Sequence, residues 1–504
     1  MANQKEEEAK KDPSTVSCAY AEMLPRWKKM QALLGGTEAM REAGETYLPK
    51  HAEENEGRYA ERLASATLLN ITDLTLNSLV GRPFSDDITL NDDIPEKIVE
   101  LLDDVDLQGN KLTVFARQLF KEGLAKGFAH ILIEFPRKEP TEDGQPRTLA
   151  DDKAENLRPY WVFIKPENLI FAHTKIINGV ETVVHARILE ETTFMDGFAE
   201  ATVTRIRVLE PGTQEIFEKK IDPKTKKEVW VSVDKFEIDL NFIPLVTFYA
   251  EKDDAFLCKP PLMDLADLNI THWQSGSDQR AILTAARFPI LAMSGGTDEE
   301  GDIIIGPYNF LHTTDPQGKF YYVEHNGRAI ESGRKDLLDL EEQMAHYGAE
   351  FLTKRPGRET ATARALDSAE ATSPLQDMTT RFVDALNQAL FVTAQWLKEE
   401  SGGTVEMTTD FGPENPDQSD MNILKFTRRL GDISRKAYLE EQKRRGILSD
   451  EYNIEEDLEQ IQKEVLLGVS KFMADDEEDT GPGESEVDEG STGKDEPSGG
   501  GISG

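Results

Sequence analysis

The spacing of apolar residues changes twice along this chain of 504 residues, and this change limits the folds that the chain can adopt. Between Tyr160 and Ala250, apolar and polar residues alternate with a period of two and β-branched residues are frequent. This pattern predicts half-buried strands of an antiparallel sheet. The residues that carry the pattern include Ile206, Val208, Phe236, Ile238 and Leu240, with Asn178-Gly179 and Pro211-Gly212 as turns. The spacing on both sides of this region is helical, so the sequence predicts an α+β fold.

Helical spacing predicts a series of helices before and after the sheet. The predicted elements before it are the helices Tyr20–Leu34, Thr37–Gly44, Tyr59–Val80, Ile94–Leu102 and Lys111–Gly127 and a strand at His130–Phe135. Those after it are the helices Leu262–Ala286, Arg334–Leu352, Thr362–Leu397, Met421–Arg429, Arg435–Arg445 and Ile454–Leu467, with strands within 288–323 and at Val405–Phe411. We expect Gly81 to end a helix and Pro374 to kink or interrupt one. Ser434 and Asn453 are predicted N-caps.

The predicted helix Leu262–Ala286 combines length with polarity. Its apolar stripe is narrow, and small or polar residues occupy much of the remaining surface: Asn269, Thr271, Gln274, Ser275, Ser277 and Asp278. A helix of this kind buries too little apolar surface to be a core element by itself. We therefore expect it to pack beside copies of itself, with one face toward water.

The chain is strongly acidic, with 95 acidic and 57 basic side chains and a formal net charge of −38. A protein that binds nucleic acid through its phosphates has a basic footprint, which this composition lacks. The segment 473–504 is acidic and rich in Ser and Gly, and residues 1–19 are polar, so both are predicted to be disordered. No apolar run approaches the length of a membrane span, and we expect neither a signal peptide nor a membrane partner.

Residue patterns for catalysis or metal binding were not found. Cys18 and Cys258 are too few for a disulfide scaffold or a cysteine-rich zinc site. The pair Gly318-Lys319 is followed by Phe320 rather than by the Ser or Thr of a phosphate-binding loop. No two histidines lie four residues apart, as they do in zinc hydrolases. We therefore predict no enzymatic activity and no cofactor.

Three charged segments leave alternatives open. The carboxylates at Asp298, Glu299, Glu300 and Asp302 form either a solvated acidic loop or a divalent-cation site. The cations between Lys425 and Arg445 either pair with neighbouring acidic helices or contact phosphates. The loop Thr353–Thr362, which carries Lys354, Arg355 and Arg358, either contacts phosphates or is an exposed outer loop.

The order of elements and several short motifs resemble the portal proteins, or head-tail connectors, of tailed bacteriophages. The similarity runs over roughly residues 20–465, and none of its motifs is catalytic. The motifs are Gly44-Glu45-Thr46-Tyr47-Leu48-Pro49, Tyr59, Arg62, Val80-Gly81-Arg82-Pro83-Phe84, Tyr322-Val323-Glu324, Gly327, Ala329-Ile330, Leu340-Glu341, Met344-Ala345, Gly348-Ala349, Thr360-Ala361-Thr362-Ala363 and Gly431-Asp432-Ile433-Ser434.

The resemblance implies a homo-oligomeric ring, usually of twelve subunits, at one vertex of the capsid in the virion. Double-stranded DNA passes non-specifically through such a ring during packaging and ejection. The implied partners are the terminase large subunit, the major capsid and scaffold proteins, and tail adaptor proteins. Assembly of the ring would take place in the host cytoplasm.

The resemblance also divides the chain. It implies a helical wing part (20–159), a β-rich wing part (160–260), stem and clip (261–330), a tunnel loop with a long wing helix (331–399) and a helical crown (400–472). In this scheme Lys354, Arg355 and Arg358 form the DNA channel loop. Asn269, Gln274 and Asp278 would lie on the channel-facing side of the stem helix.

Two other classes of function stay open from the sequence. A metal-dependent nuclease would need carboxylates that meet in space and would cleave DNA with a divalent cation. Another capsid component, such as a scaffold, would be mostly helical and would lack the sheet predicted between Tyr160 and Ala250.

Overall fold

A computed structural model of the chain describes residues 12–136, 157–221, 226–287, 290–295, 315–323, 327–350, 373–409 and 411, together with a smaller set between 425 and 463. The chain divides into two compact units, Met1–Phe411 and Gly412–Gly504. Helices and antiparallel sheets occupy separate stretches of the first unit, which confirms the predicted α+β class. The acidic tail predicted to be disordered lies outside the described residues.

Most helices of the first unit follow the predicted series, although α8 begins at Arg328 rather than at the predicted Arg334. They are α1 (Cys18–Leu34), α2 (Gly36–Ala43), α3 (Glu56–Ser65), α4 (Ile71–Gly81), α5 (Glu96–Leu102), α6 (Leu112–Lys126), α7 (Met263–Ala286), α8 (Arg328–Glu350) and α9 (Pro374–Leu397). Helix α4 ends at Gly81 as predicted. A helix begins at Pro374, with the Ser373 side chain accepting a hydrogen bond from the backbone N–H of Gln376, in agreement with the expected interruption; the predicted helical residues 362–372 lie outside the described residues. Proline is favoured at this position because the first N–H of a helix has no intrahelical acceptor.

The single helix predicted over Tyr59–Val80 is wrong, because the chain breaks between α3 and α4. Asn70 caps α4 by accepting a hydrogen bond from the N–H of Asp73. Its amide also donates to the carbonyl of Leu33 at the end of α1, over 2.7 Å. This contact joins residues far apart in sequence, so the apolar spacing of the segment could not reveal it.

Residues 12–19 are held by defined contacts, so the disorder predicted for residues 1–19 is wrong for this part; residues 1–11 lie outside the described residues. The Arg187 guanidinium donates to the carbonyls of Pro13 and Thr15 and lies over the ring of Phe171. The Ser17 N–H donates to the carbonyl of Ile170. These contacts hold residues 13–17 on the sheet before α1 begins.

The predicted β region divides into two sheets rather than one. The strands of the first unit are β1 (Thr89–Leu90), β2 (Phe128–Glu134), β3 (Tyr160–Ile164), β4 (Leu169–Ile177), β5 (Val180–Asp196), β6 (Ala199–Glu210), β7 (Thr213–Ile221), β8 (Glu228–Glu237), β9 (Leu245–Tyr249), β10 (Ile290–Ser294), β11 (Lys319–Val323) and β12 (Val405–Glu406). β4 to β8 form a five-stranded antiparallel meander in chain order, which confirms the antiparallel sheet and the turns at Asn178-Gly179 and Pro211-Gly212. β3 and β9 instead flank β2 in a three-stranded antiparallel sheet.

A cluster of aromatic rings joins the three-stranded sheet to the helices. Phe120 of α6, Phe248 of β9 and Phe382 of α9 are fully buried, with ring centroids 4.8–5.6 Å apart. Aromatic pairs at this spacing add about 0.5–1.5 kcal/mol each beyond the effect of burial. On the same helix as Phe382, Thr393 accepts a hydrogen bond from the Trp161 indole over 2.9 Å. Helix α9 is thereby fixed to β3, which lies more than 200 residues earlier in the chain.

The remaining strands form two short pairs. β10 pairs with β11, and β1 pairs with β12. The strand predicted at Val405–Phe411 is only two residues long. The Thr404 N–H before it donates to the carboxylate of Asp93. Among the helices of the described residues, none has both the length and the apolar character that crossing a membrane requires.

The second unit is described mainly through helix α10 (Arg435–Arg444). Ser434 caps this helix by accepting from the N–H of Ala437, as predicted. Asn453 accepts from the N–H groups of Glu455 and Glu456, which confirms the second predicted N-cap. Lys436 pairs with Glu455 at 3.0 Å, in agreement with the acidic-helix alternative for this one cation of the Lys425–Arg445 segment.

Gly127, at the end of α6, provides a test of this packing. Its φ of +95° is unfavourable for other residues, and an added Cβ would lie 2.0 Å from the Cys258 sulfur. We expect Gly127→Ala to lower the free energy of unfolding by about 2–4 kcal/mol, measured by urea denaturation. The control is Gly179→Ala, which has a φ of +82° but open space around it. The interpretation would be contradicted if the two variants were equally destabilised.

Candidate functional site

The chain leaves the core along helix α7, forms β10 and β11, and returns along helix α8. Among the described residues of these elements, buried side chains occur at one end only. Buried side chains of α7 occur from Met263 to Gln279. Among the described residues from 280 to 323, none is buried, and the next buried side chain is Leu340 on α8. We call the described residues 280–287, 290–295 and 315–323 the stalk. The anchored end of α7 and the exposed stalk together form the candidate functional site.

Asn269 is the centre of the anchored end. Its side chain is fully buried and accepts hydrogen bonds from the N–H and hydroxyl of Thr72, over 3.0 and 2.9 Å. Its amide donates to the carbonyl of Leu69 over 2.8 Å. The prediction that Asn269 faces a channel is therefore wrong, because α4 covers it and uses its hydrogen-bonding capacity.

Gln274 and Asp278 also contact the N-terminal helical region. The Gln274 amide donates to the carbonyl of Tyr47 over 2.9 Å, and the side chain is half-buried. Asp278 lies 3.0 Å from the His51 ring nitrogen Nε2 and 3.7 Å from the Arg62 guanidinium, and its side chain is 45% exposed. The polar face of α7 is thus used for attachment within the chain, and a channel-facing role for these two residues stays a prediction.

Arg62 forms a buried ion pair next to Asp278. Its guanidinium donates two hydrogen bonds to the Glu54 carboxylate, over 2.9 and 2.7 Å, and a third to the carbonyl of Pro49. The two side chains are only 5% and 9% exposed. Hydrogen bonds from Arg62 lower the pKa of Glu54 from 4.5 to about 2, and those to Glu54 raise the pKa of Arg62. The fixed charge pair supports the loop that contacts α7.

Helix α8 packs closely against α7 where the stalk begins. The Gln279 amide donates to the carbonyl of Ile330 over 2.8 Å. A Cβ at Gly333 would lie 2.1 Å from the Gln279 side-chain oxygen, so a larger residue there would force the Gln279 side chain to move. About two turns before Gln279 on α7, the ring nitrogen Nε2 of His272 lies 3.4 Å from the Glu341 carboxylate.

The outer part of the stalk exposes large side chains. Tyr321, Tyr322 and Val323 of β11 are 51%, 59% and 49% exposed. Within the described residues β11 pairs with β10 alone, through five residue pairs. A two-stranded sheet is marginally stable by itself. About half of each of these three side chains is therefore open to solvent.

The predicted channel-loop residues Lys354, Arg355 and Arg358 lie outside the described residues, as do Asp298, Glu299, Glu300 and Asp302. The helix ends that flank the first group are described. Glu350 of α8 and Pro374 of α9 line one open cavity of about 400 Å³, together with Tyr347. Burial and the nearby Asp264 raise the pKa of Tyr347 to about 12. The two ends of the segment 351–373 therefore lie at one place on the first unit.

Carboxylates, cysteines and histidines are not gathered into a metal-binding group of three or more within the described residues. His130 is fully buried between strands, with Nδ1 2.9 Å from the Thr247 hydroxyl. Burial lowers the pKa of His130 to about 3, so this ring is neutral at physiological pH. Its contacts are those of a core residue.

A family described as a domain of unknown function, DUF4055, matches residues 261–397, a range that begins just before α7 and ends with α9. No curated protein sequence matches the chain.

Solved structures with similar chains come from gene transfer agent (GTA) particles. The neck of an empty GTA particle, computed with C6 symmetry, contains a chain with 11% identity and a TM-score of 0.37, over 75% of this chain and 90% of that one. A chain of the native GTA virion has 10% identity and a TM-score of 0.34, over 75% and 89%. A chain of the native GTA neck, computed with C12 symmetry, has 10% identity and a TM-score of 0.36, over 73% and 88%. TM-scores below 0.5 do not establish a shared fold.

The Arg62–Glu54 pair gives a pH-dependent test of the anchor. We expect Arg62→Ala to lower the free energy of unfolding by about 3–5 kcal/mol at pH 7, because it leaves a buried carboxylate unpaired. The stabilisation from Glu54 is present above its unfolded pKa of 4.5 and is lost as the pH falls toward about 2. The difference between the wild type and the variant should therefore shrink over that range, measured by urea denaturation.

The matched control for this test is Arg58→Ala on the same helix. Arg58 is exposed, and its replacement should change the free energy of unfolding by no more than about 0.5 kcal/mol. A constant difference between Arg62→Ala and the wild type from pH 7 to pH 2 would show that Glu54 does not contribute as described.

Proposed function

We propose that this chain is the subunit of a portal-type ring, a conduit at one capsid vertex through which double-stranded DNA is packaged and ejected. The observation that carries the proposal is the stalk, which leaves the core and returns to it without burying a side chain among its described residues. The order of elements around the stalk is the order that the sequence resemblance implies for stem and clip.

The exposed side chains of the stalk favour packing between copies. A chain that remained alone would keep Tyr321, Tyr322 and Val323 in water and would depend on a two-stranded sheet for its structure. Copies arranged side by side would cover these residues. Contacts between unlike surfaces of identical chains form a closed ring when the rotation between neighbours closes.

The anchor explains how such a stalk could be held in position. Asn269, Gln274 and the Arg62–Glu54 pair add directed hydrogen bonds and charge to the apolar contacts that α7 makes with the core through side chains such as Trp273. Hydrogen bonds require particular directions, so they fix the angle at which α7 leaves the core. A constant angle in every copy is what a symmetric ring needs.

The charge of the chain suits a conduit. With a net charge of −38 per copy, a ring would repel the phosphates of DNA and would not hold the duplex in one place. A surface that neutralised many phosphates would instead bind DNA tightly and with strong salt dependence. In this proposal Lys354, Arg355 and Arg358 provide the few transient contacts with DNA.

The partners of the ring follow from the same proposal. The chain lacks a nucleotide-binding motif in its sequence, so the energy for packaging would come from a separate ATPase, the terminase large subunit. Tail adaptor proteins would replace the ATPase after packaging. The major capsid and scaffold proteins would surround the ring at the vertex during assembly in the host cytoplasm. The two antiparallel sheets favour this proposal over a scaffold role, because a scaffold protein would be mostly helical.

Assembly is the first test of the proposal. We expect native mass spectrometry of the purified chain to give a closed oligomer of about twelve copies. The double variant Tyr321→Ser/Tyr322→Ser should weaken this oligomer while the unfolding curve of the monomer stays unchanged, because both side chains are exposed in one chain. Ile176→Ser, at an exposed site on β4, is the control. A chain that is monomeric at all concentrations and salt conditions would contradict the ring.

The channel loop is tested by function rather than by stability. Replacement of Lys354, Arg355 and Arg358 by Ala should leave ring assembly intact, because solvated charges contribute little to stability. Packaging yield or DNA retention in assembled particles should change, since the transient phosphate contacts are lost. Normal packaging and retention would show that these cations do not act on DNA.

A further inference from the structure

Strands β5 and β6 of the five-stranded sheet extend beyond their outer neighbours, β4 and β7. β4 pairs with β5 only as far as Ile188, and β7 pairs with β6 only as far as Arg205. The six residue pairs from Glu191↔Thr204 to Asp196↔Ala199 therefore have no further strand on either side. We call this two-stranded segment, residues 191–204, the arm.

The arm carries both apolar and acidic residues on an open surface. Every residue from 191 to 200 is exposed. Phe198 at the turn is completely exposed, Met195 is 72% exposed and Phe194 is 49% exposed. Glu191, Asp196 and Glu200 form no ion pair within the described part of the chain. A two-stranded segment of this kind requires a partner to be rigid, because its apolar side chains and both strand edges face water.

The β7–β8 hairpin ends at the same end of the sheet and has the opposite charge. We call residues 219–221 and 226–231 the basic hairpin. Ile221 is 69% exposed, and Val229 and Val231 are 39% and 40% exposed. Its cations are Lys219 and Lys220, which pair with Glu228 and Glu218, and Lys226 and Lys227, which form no ion pair within the described residues.

We propose that the arm of one copy docks on the basic hairpin of the neighbouring copy. Each surface has exposed apolar side chains at its centre, and their flanking charges have opposite sign. Within one chain the two ribbons stop pairing beyond Arg205↔Glu218, and the apolar side chains of both surfaces stay exposed, so neither surface covers the other. The contact therefore needs a second copy.

This contact joins two different surfaces, and such contacts form rings or filaments rather than isolated pairs. The inference rests on the proposed ring and identifies which surfaces hold neighbouring copies together in the wing. Burial of Phe194, Met195 and Phe198 would provide the main attraction. The carboxylates and lysines would fix the direction of docking and exclude contacts between two arms, where like charges would meet.

Charge exchange between the two surfaces tests the proposal. The first variant reverses the arm (Glu191→Lys, Asp196→Lys and Glu200→Lys), and the second reverses the basic hairpin (Lys226→Glu and Lys227→Glu). Each variant alone should lose the ring in sedimentation velocity, because like charges then meet at every contact. An equimolar mixture should regain it with alternating subunits, since each arm again meets a hairpin of opposite charge.

The control reverses two exposed lysines nearer the other end of the same sheet, Lys175→Glu and Lys235→Glu, with the same change in net charge as the hairpin variant. This control should assemble like the wild type. Recovery of the ring in the mixture supports the contact and excludes misfolding as the cause of loss in the single variants. If wild-type rings form and either reversed variant also assembles, or the mixture does not, the contact is wrong while the ring stands. A monomeric wild type contradicts the ring itself.

Discussion

The hydrogen bonds of Asn269 hold helix α7 against α4, and the position of the stalk depends on that attachment. A buried amide that bonds to Thr72 and Leu69 is costly to displace, because each buried polar group would then lose its hydrogen-bond partner. The Arg62–Glu54 pair supports the same junction from the other side of α7. A helix held in this way at its first half can extend its second half away from the core.

Secondary structure was largely predictable from the sequence, because it depends on residues that are close along the chain. The meander β4 to β8, its turns and most helices follow from apolar spacing and from Gly, Pro and Asn positions. The break between α3 and α4 was missed because Asn70 is held by Leu33, which lies 37 positions earlier. β3 and β9 were assigned to the wrong sheet because their partner β2 lies outside the region with a period of two.

The candidate site was less predictable than the fold. The polarity of α7 was correctly identified as unusual, but a polar residue on a long helix can face either water or a buried partner. Asn269 has its partners about 200 positions away, and nothing in the local sequence distinguishes the two cases. The exposed arm was not predicted either. Alternation of apolar and polar residues predicts strands but does not show where the neighbouring strands end.

The order of strands also has a consequence for how the chain folds. β2 pairs with β9 across more than 100 residues, and β3 and β9 are separated by the entire meander. The meander contains only hairpin contacts, which form quickly because they close short loops. Once it has formed, its first and last strands are held at a fixed separation, and the remaining loop to be closed is much shorter. We therefore expect the five-stranded sheet to form first and to reduce the loop-closure entropy that is lost when the three-stranded sheet forms.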